Sequence, residues 1–356
     1  MDELRRDWQS LDTTPSLLTS YAWHRATAQH LIADPTELWL CRIANAANQP
    51  LAIIPVHATR MAIGEFGFRN TLSLDWNAHF PLFDFPVAVG ADPEVVAQAL
   101  AAAFRTHPYP WQVIYWGRVL ATSNAARIAS AMPTARTLIE DAEPCHILDV
   151  HQEQDETGLP RPYTFASKNL KALLTQGRNR LAKLGPLQIR KSPPTQDTEA
   201  FLAEFLRVEG AGWKGDAGTA ASFSPPFVAL MRALVASADP AIQAEMVLLY
   251  CGEDAVAAQF CITAGRTVFT SKQGYDERFA RMHPGHVLTS MLLAEGKLND
   301  HLDVVNFISG MAWRQPYRPL ELPTLDIVLF RSRPQRDWTL LRRAASRAKR
   351  KLLNKD

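Results

Sequence analysis

Residues 277–293, ERFARMHPGHVLTSMLL, put a Pro284-Gly285 pair where a loop gives way to an apolar helical run. A helix start leaves its first N–H groups unpaired and carries partial positive charge. Proline loses nothing there, since its missing N–H had no helical partner. Glycine lets a bulky group approach the backbone. The pair therefore reads either as a plain helix start or as a seat for an anion such as a pyrophosphate.

The flanking segments give this junction a context. Before it, AEMVLLY, AVAAQFCIT and TVFTSKQGY are strand-like, and short turns at Gly252-Glu253-Asp254 and Gly265-Arg266 make them an antiparallel meander. Earlier still come a helix over SKNLKALLTQGRNRLAKLG, capped by Ser167, a short strand LQIRKS, a helix with Phe201, Leu202, Phe205 and Leu206 on one face, and a helix capped by Ser224. After the junction, LDVVNF and LDIVLF read as two more strands of the same unit.

The first half is mixed. ELWLCRIA and LAIIPVHATR form a hairpin pattern, DPEVVAQALAAAFRTH is a helix with Asp92 as its cap, and WQVIYWGRV, TSNAARIASAM and CHILDV read as strand, helix and strand. The polar stretch 151–164 reads as a join, giving units over 1–155 and 160–332 and a basic tail over 333–356.

With 47% hydrophobic and 21% charged residues, the 356-residue chain can bury sizeable cores and is not a disordered polymer. No apolar run reaches the length of a membrane span, and MDELRRDWQS lacks the apolar segment of a secretory signal. Cys41, Cys145, Cys251 and Cys261 form no CxxC pair and read as reduced residues of a cytoplasmic protein. The net charge of +2 conceals an asymmetry: residues 331–356 hold ten Lys/Arg against two Asp, leaving 28 against 34 elsewhere.

The order strand, helix, helix, meander, helix, strand, strand resembles the GNAT acyltransferase fold. RVEGAGWKG (207–215), SKQGYDERFARMHPGHVL (271–288) and HLDVVNFISG (301–310) resemble the BioF2-like acetyltransferase domain of the CelD/BcsL group, and more distantly the Fem peptidyltransferases. The resemblance implies an α/β protein, α+β with mixed sheets, of tandem GNAT-like units with the N-terminal one reduced. It implies a donor, acetyl-CoA or another acyl-CoA, bound at Arg281, Pro284, Gly285 and His286. Against the general signature, residues 281–286 carry one extra residue before the glycine and His286 after it.

The expected activity is acyl transfer to an amine or hydroxyl of a small-molecule or glycan acceptor, in polysaccharide or envelope biosynthesis by analogy with the group. Alternatives are a Fem-like ligase using aminoacyl-tRNA and a non-catalytic GNAT scaffold. For the chemistry, Glu209 is a candidate base, Tyr275 a candidate acid, and Asp303, opening a strand, a third candidate catalytic residue. Lys214, Trp213 and Lys272 are candidates for holding the acceptor, and no metal is expected from His283 and His286. Lys168, Lys171, Arg178, Arg180 and Lys183 form a basic helix face, read as solvated or as an anion seat; nucleic acid other than tRNA is not expected. Trp338, Leu341, Ala345, Ala348 and Leu352 fall on one face of a basic tail helix, which suits an anionic membrane surface and places the protein at the inner leaflet.

Overall fold

A computed structural model of the chain describes residues 1–11, 16–63, 67–74, 79–150, 167–192, 197–298 and 301–353. The join expected over 151–164 lies outside the described residues. The N-terminal part runs α1 (Arg5–Leu11), α2 (Tyr21–Leu31), β1 (Leu38–Ala44), β2 (Pro50–Ala62), β3 (Phe68–Ser73), α3 (Pro93–Arg105), β4 (Val113–Leu120), α4 (Asn124–Ser130), β5 (Thr137–Asp141) and β6 (Cys145–Asp149). It continues as α5 (Lys168–Ala182), β7 (Leu187–Lys191), α6 (Thr198–Glu209), a short α7 (Trp213–Asp216), α8 (Pro225–Val235), β8 (Gln243–Cys251), β9 (Asp254–Ala264) and β10 (Thr267–Tyr275). The last elements are α9 (Pro284–Leu298), β11 (Val304–Asn306), β12 (Leu320–Leu322), β13 (Thr324–Phe330) and α10 (Arg333–Leu353).

Two mixed sheets result, in the orders β1-β2-β3-β4-β13-β5 and β12-β6-β11-β10-β9-β8-β7. They repeat one plan. An antiparallel meander (β1-β2-β3, then β8-β9-β10) leads through a helix (α3, then α9) to a parallel neighbour (β4, then β11). An antiparallel strand follows each parallel one: β13 beside β4, and β6 beside β11. The second unit has the extra edge strand β7, which pairs with β8 and has no counterpart beside β1 among the described residues, so the first unit is the reduced one.

The closing strands are exchanged. LDIVLF, expected to complete the second unit, is β13 and lies in the first sheet between β4 and β5. CHILDV, from the first half, is β6 and lies in the second sheet between β11 and β12. Local pattern marks both as strands but carries no information on which sheet accepts them. The strands β3 and β5 and the helices α1 and α2 were not anticipated either; β5 is short and half exposed and shows no clean alternation.

Alternation along β8 divides the second core. Met246 and Leu248 face Phe205 of α6, Phe227 and Met231 of α8, and Trp23 of α2. Val247 and Leu249 face Leu170, Leu174 and Leu181 of α5 and Val287 and Leu288 of α9. Helices from both halves of the chain thus share one core. A separate cluster joins α3 and α4 to the first sheet through Leu100, Phe104, Ile114 and Trp116. None of the four cysteines forms a disulfide.

Candidate functional site

The parallel strands β10 and β11 pair over three residues, 267–269 with 304–306. Beyond that point they diverge. β11 ends, and Phe307 turns away to donate its N–H to the His146 carbonyl. Residues 270–275 of β10 are left as one wall of a cavity of about 910 Å³, with Phe307, Ile308 and Ser309 on another. The opening lies between parallel strands.

The wall formed by β10 is itself irregular. Ser271 pairs with Phe260 and Gln273 with Gln259, so Lys272 is bulged out of the ladder with β9. It adopts a left-handed backbone, φ 36°. A bulge of this kind re-aims a backbone N–H and a side chain toward the space beside the sheet. The Lys272 ammonium donates to the Thr219 carbonyl at 2.9 Å. Burial lowers its pKa, with Glu209 opposing the shift.

The start of α9 closes one end. His283, left-handed at φ 51°, precedes Pro284 and accepts the first helical bond, from Val287 N at 3.1 Å. His283, Gly285 and His286 line the cavity. Beneath them the Gln273 amide donates to Gly285 O at 3.0 Å, Thr289 Oγ1 at 2.9 Å and Gln259 Oε1 at 3.1 Å, which ties the helix start to β10 and β9. The corresponding helix of the first unit, α3, is different: the Asp92 carboxylate accepts from Glu94 N at 2.9 Å and occupies the helix start. Of the two related helix starts, α9 carries no carboxylate cap of its own and opens on the cavity.

The candidate residues separate into two groups. Glu209, Lys214, Lys272, Tyr275, Gly285 and His286 come together on the cavity wall. Glu209 is wholly buried at the end of α6. Its Oε1 accepts from Lys214 at 3.1 Å and its Oε2 from Ala221 N at 2.8 Å, while Lys214 also donates to the Gln273 carbonyl. This carboxylate clamps the segment from 214 to 221 onto β10. Gly274 permits the approach: a Cβ there would lie 2.5 Å from the Glu209 Cα. Tyr275 has its phenol pKa raised by burial and by Glu277.

Three candidates stand apart. Asp303 is bound to Arg266 at 2.7 Å, beside the opposite end of β10 from Tyr275. Eight residue steps of strand separate Thr267 from Tyr275, about 26 Å at about 3.3 Å per residue. Its place at a strand opening fitted a buried carboxylate, but β11 starts beside Thr267, at the end of β10 remote from the cavity, and 39% of the side chain is exposed. Arg281 is exposed and its carbonyl accepts from Arg180 at 3.2 Å. Pro284 is buried and sets the helix without lining the cavity. The Trp213 side chain lies outside the described residues.

His286 is turned from the helix start: Nδ1 lies 2.9 Å from the Tyr317 hydroxyl and the ring stacks on Tyr317. Burial and the neighbouring His283 lower its pKa to about 4, so it is neutral at pH 7.

Sequence reasoning missed three wall residues. His79 comes from the loop between β3 and α3 and packs on Phe227, with ring centroids 4.3 Å apart. Burial and Lys272 lower its pKa to about 4. Glu143 accepts from Arg118 at 2.8 Å. Arg314 is buried, and its guanidinium donates to the Phe307 and Ser309 carbonyls and to Ser309 Oγ. Burial pulls its pKa down to about 10. Nothing in the spacing of His79 or Arg314 announces them; they are brought in by the exchanged architecture.

Residues 168–312 match the family model of the acetyltransferase (GNAT) domain. Those residues are therefore similar to a GNAT domain, and the fold around them is a pair of GNAT-like units. No curated protein matches the sequence. Among solved structures it is similar to the C-terminal domain of a putative lysylphosphatidylglycerol synthetase of Agrobacterium fabrum, at 12% identity over 96% of this chain and 95% of that one, with a TM-score of 0.54. It is also similar to the lysylphosphatidylglycerol synthetase L-PGS of Bacillus licheniformis, at 14% identity over 94% and 97% with a TM-score of 0.54. A third likeness is to FemX, at 11% identity over 92% and 96% with a TM-score of 0.55.

Proposed function

We propose that this protein transfers an acyl group from an acyl-CoA, acetyl-CoA in the simplest case, to an amine or hydroxyl of a small molecule or glycan. The observation that carries the reading is the divergence of β10 from β11 at residue 270, directly in front of the start of α9. An extended donor fits between diverging strands, its pyrophosphate facing the N–H groups of Gly285 and His286.

The side chains on the wall divide the chemistry. The acceptor nitrogen or oxygen attacks the donor carbonyl, and the tetrahedral oxyanion is met by the outward N–H of the bulged Lys272. The acceptor's proton is lost to water; His79, an uncharged imidazole with its pKa lowered to about 4, can relay it but is too weak a base to keep it. The carbonyl–sulfur bond then breaks, and the Tyr275 phenol protonates the departing thiolate. Glu209 holds Lys214 and β10 in place through both of its oxygens.

A second reading is an aminoacyl donor carried by tRNA. It is supported by the likeness to two lysylphosphatidylglycerol synthetases and by the cationic face of α5, where Lys168, Lys171, Arg178, Arg180 and Lys183 are all exposed. Thermal unfolding with acetyl-CoA and with aminoacyl-tRNA separates the two. A ligand at a hundred times its Kd adds about 2.7 kcal/mol, so stabilisation by acetyl-CoA alone supports the first reading and by the tRNA alone the second. Stabilisation by neither overturns both.

A further inference from the structure

The C-terminal helix α10 has its apolar stripe on the wrong side for a packed helix. Polar residues anchor it to the body, with Leu340 half-buried beside them. Thr339 is buried, and Arg343 donates to both carboxylate oxygens of Glu140 on β5 at 2.7 Å. Trp338 and Leu341, one turn apart, are 64% and 65% exposed. At about 100° per residue, the direction of Trp338 and Leu341 lies about 150° round the helix from that of Thr339 and Arg343. Ala345, also exposed, continues the outward stripe, and the sequence extends it to Ala348 and Leu352.

Amphipathic helices of globular domains turn the apolar side inward. Here the salt bridge to Glu140 holds the polar side inward. An outward stripe with a tryptophan is then left beside exposed Arg342, on a segment with ten Lys/Arg against two Asp over residues 331–356. We propose that α10 docks on the surface of an anionic phospholipid bilayer, with Trp338 and Leu341 at the headgroup–acyl boundary and the flanking cations on lipid phosphates. An aromatic ring with a polar edge suits that boundary, and basic residues are drawn to anionic lipid. A second copy of this chain is a poor occupant, because it would set one strongly basic helix against another. RNA would use the cations but leave Trp338 and Leu341 without purpose.

The test uses the full chain and no activity. Co-sedimentation is measured with vesicles of phosphatidylcholine alone and with vesicles also containing phosphatidylglycerol. Binding is expected only to the anionic vesicles. It should weaken at least tenfold for Trp338→Ser combined with Leu341→Ser, and similarly for Arg342→Glu with Lys349→Glu. Going from about 0.1 M to about 1 M salt cuts the screening length from about 10 Å to about 3 Å and should release the protein. Trp338, Leu341 and Arg342 are exposed, and ellipticity and melting temperature matching the parent show that folding is not the cause. The proposal is overturned by absence of binding to the anionic vesicles, by equal binding to neutral ones, or by wild-type binding of the Trp338/Leu341 variant. It is equally overturned by self-association that this variant abolishes, or by tRNA binding through α10 without vesicle binding.

Discussion

Tyr275 and Asp303 were equal candidates as sequence and are unequal as structure. One lies on the cavity wall and the other is paired with Arg266 beside the far end of the same strand. Tyr275→Phe should lower kcat at least tenfold with little change in donor Kd, because it removes a proton donor that acts only as the leaving group departs. Asp303→Asn should keep wild-type kcat. Steady-state kinetics beside calorimetric donor titration checks both, and a large kcat loss in the Asp303 variant would move the chemistry to the other end of β10. A second residue-scale expectation concerns acid. His24 is fully buried on α2, with Nε2 2.8 Å from the Leu18 carbonyl, and burial lowers its pKa from 6.5 to about 4. Between those values the unfolded chain binds a proton that the folded chain refuses. Stability is therefore intact above about pH 6.5, falls as the pH drops through the window, and loses roughly 3 kcal/mol from this residue by the lower end. His24→Gln should flatten the corresponding slope of urea midpoint against pH; an unchanged slope would assign the acid sensitivity elsewhere.

At the scale of elements, the start of α9 is the sharpest test. Gly285 has ordinary helical backbone, and a Cβ there would sit 3.7 Å from Gln273 and Tyr275, an ordinary contact. Gly285→Ala should thus fold and bind donor nearly as the parent does. Gly285→Glu puts a carboxylate where an anion is to sit and should abolish donor binding, read by calorimetry on protein of unchanged ellipticity. If both variants bind alike, the helix start is not the seat. This element was legible in advance, because the Pro284-Gly285 junction, the meander before it and the apolar run after it are all local patterns. So were the caps at Ser167 and Asp92, each of which accepts from a backbone N–H of its helix. What was not legible depends on long-range pairing. Lys272 carries no mark of a bulge, because the extra residue exists only relative to β9. His79 reaches Lys272 and Phe227 from a loop in the first half, and Asp303 lies away from the site because β11 runs parallel to β10 and starts beside Thr267. Periodicity reports which face of a strand is buried; it is silent on which strand lies beside it.

At the scale of the whole molecule the two units are laced together. Trp23 and Phe80 from the first half share a core with Phe227 and Phe260 from the second, and the strands β6 and β13 are exchanged. Unfolding should therefore be one transition, with tryptophan fluorescence and far-ultraviolet ellipticity giving the same midpoint. A chain ending at Pro323, which lacks β13, leaves β4 and β5 without the strand between them. It should be insoluble or molten, whereas independent units would leave the second one intact and a two-step curve in the parent.

The lacing also limits how the cavity can be filled and emptied. Between β12, which is bound to β6 in one sheet, and β13, which is bound to β4 and β5 in the other, the chain has Pro323 alone. A clamshell motion, with the halves swinging apart about a hinge, would have to tear hydrogen bonds on both sides of that proline at every turnover. Traffic is left to exposed rim positions that belong to no ladder: the tip at Ala217 and Gly218 and the pair Met311 and Ala312. Breathing of such loops takes nanoseconds to microseconds, against microseconds to milliseconds for swinging domains. The protein is thus built as a rigid frame with a soft doorway, and the speed of product escape belongs to the doorway.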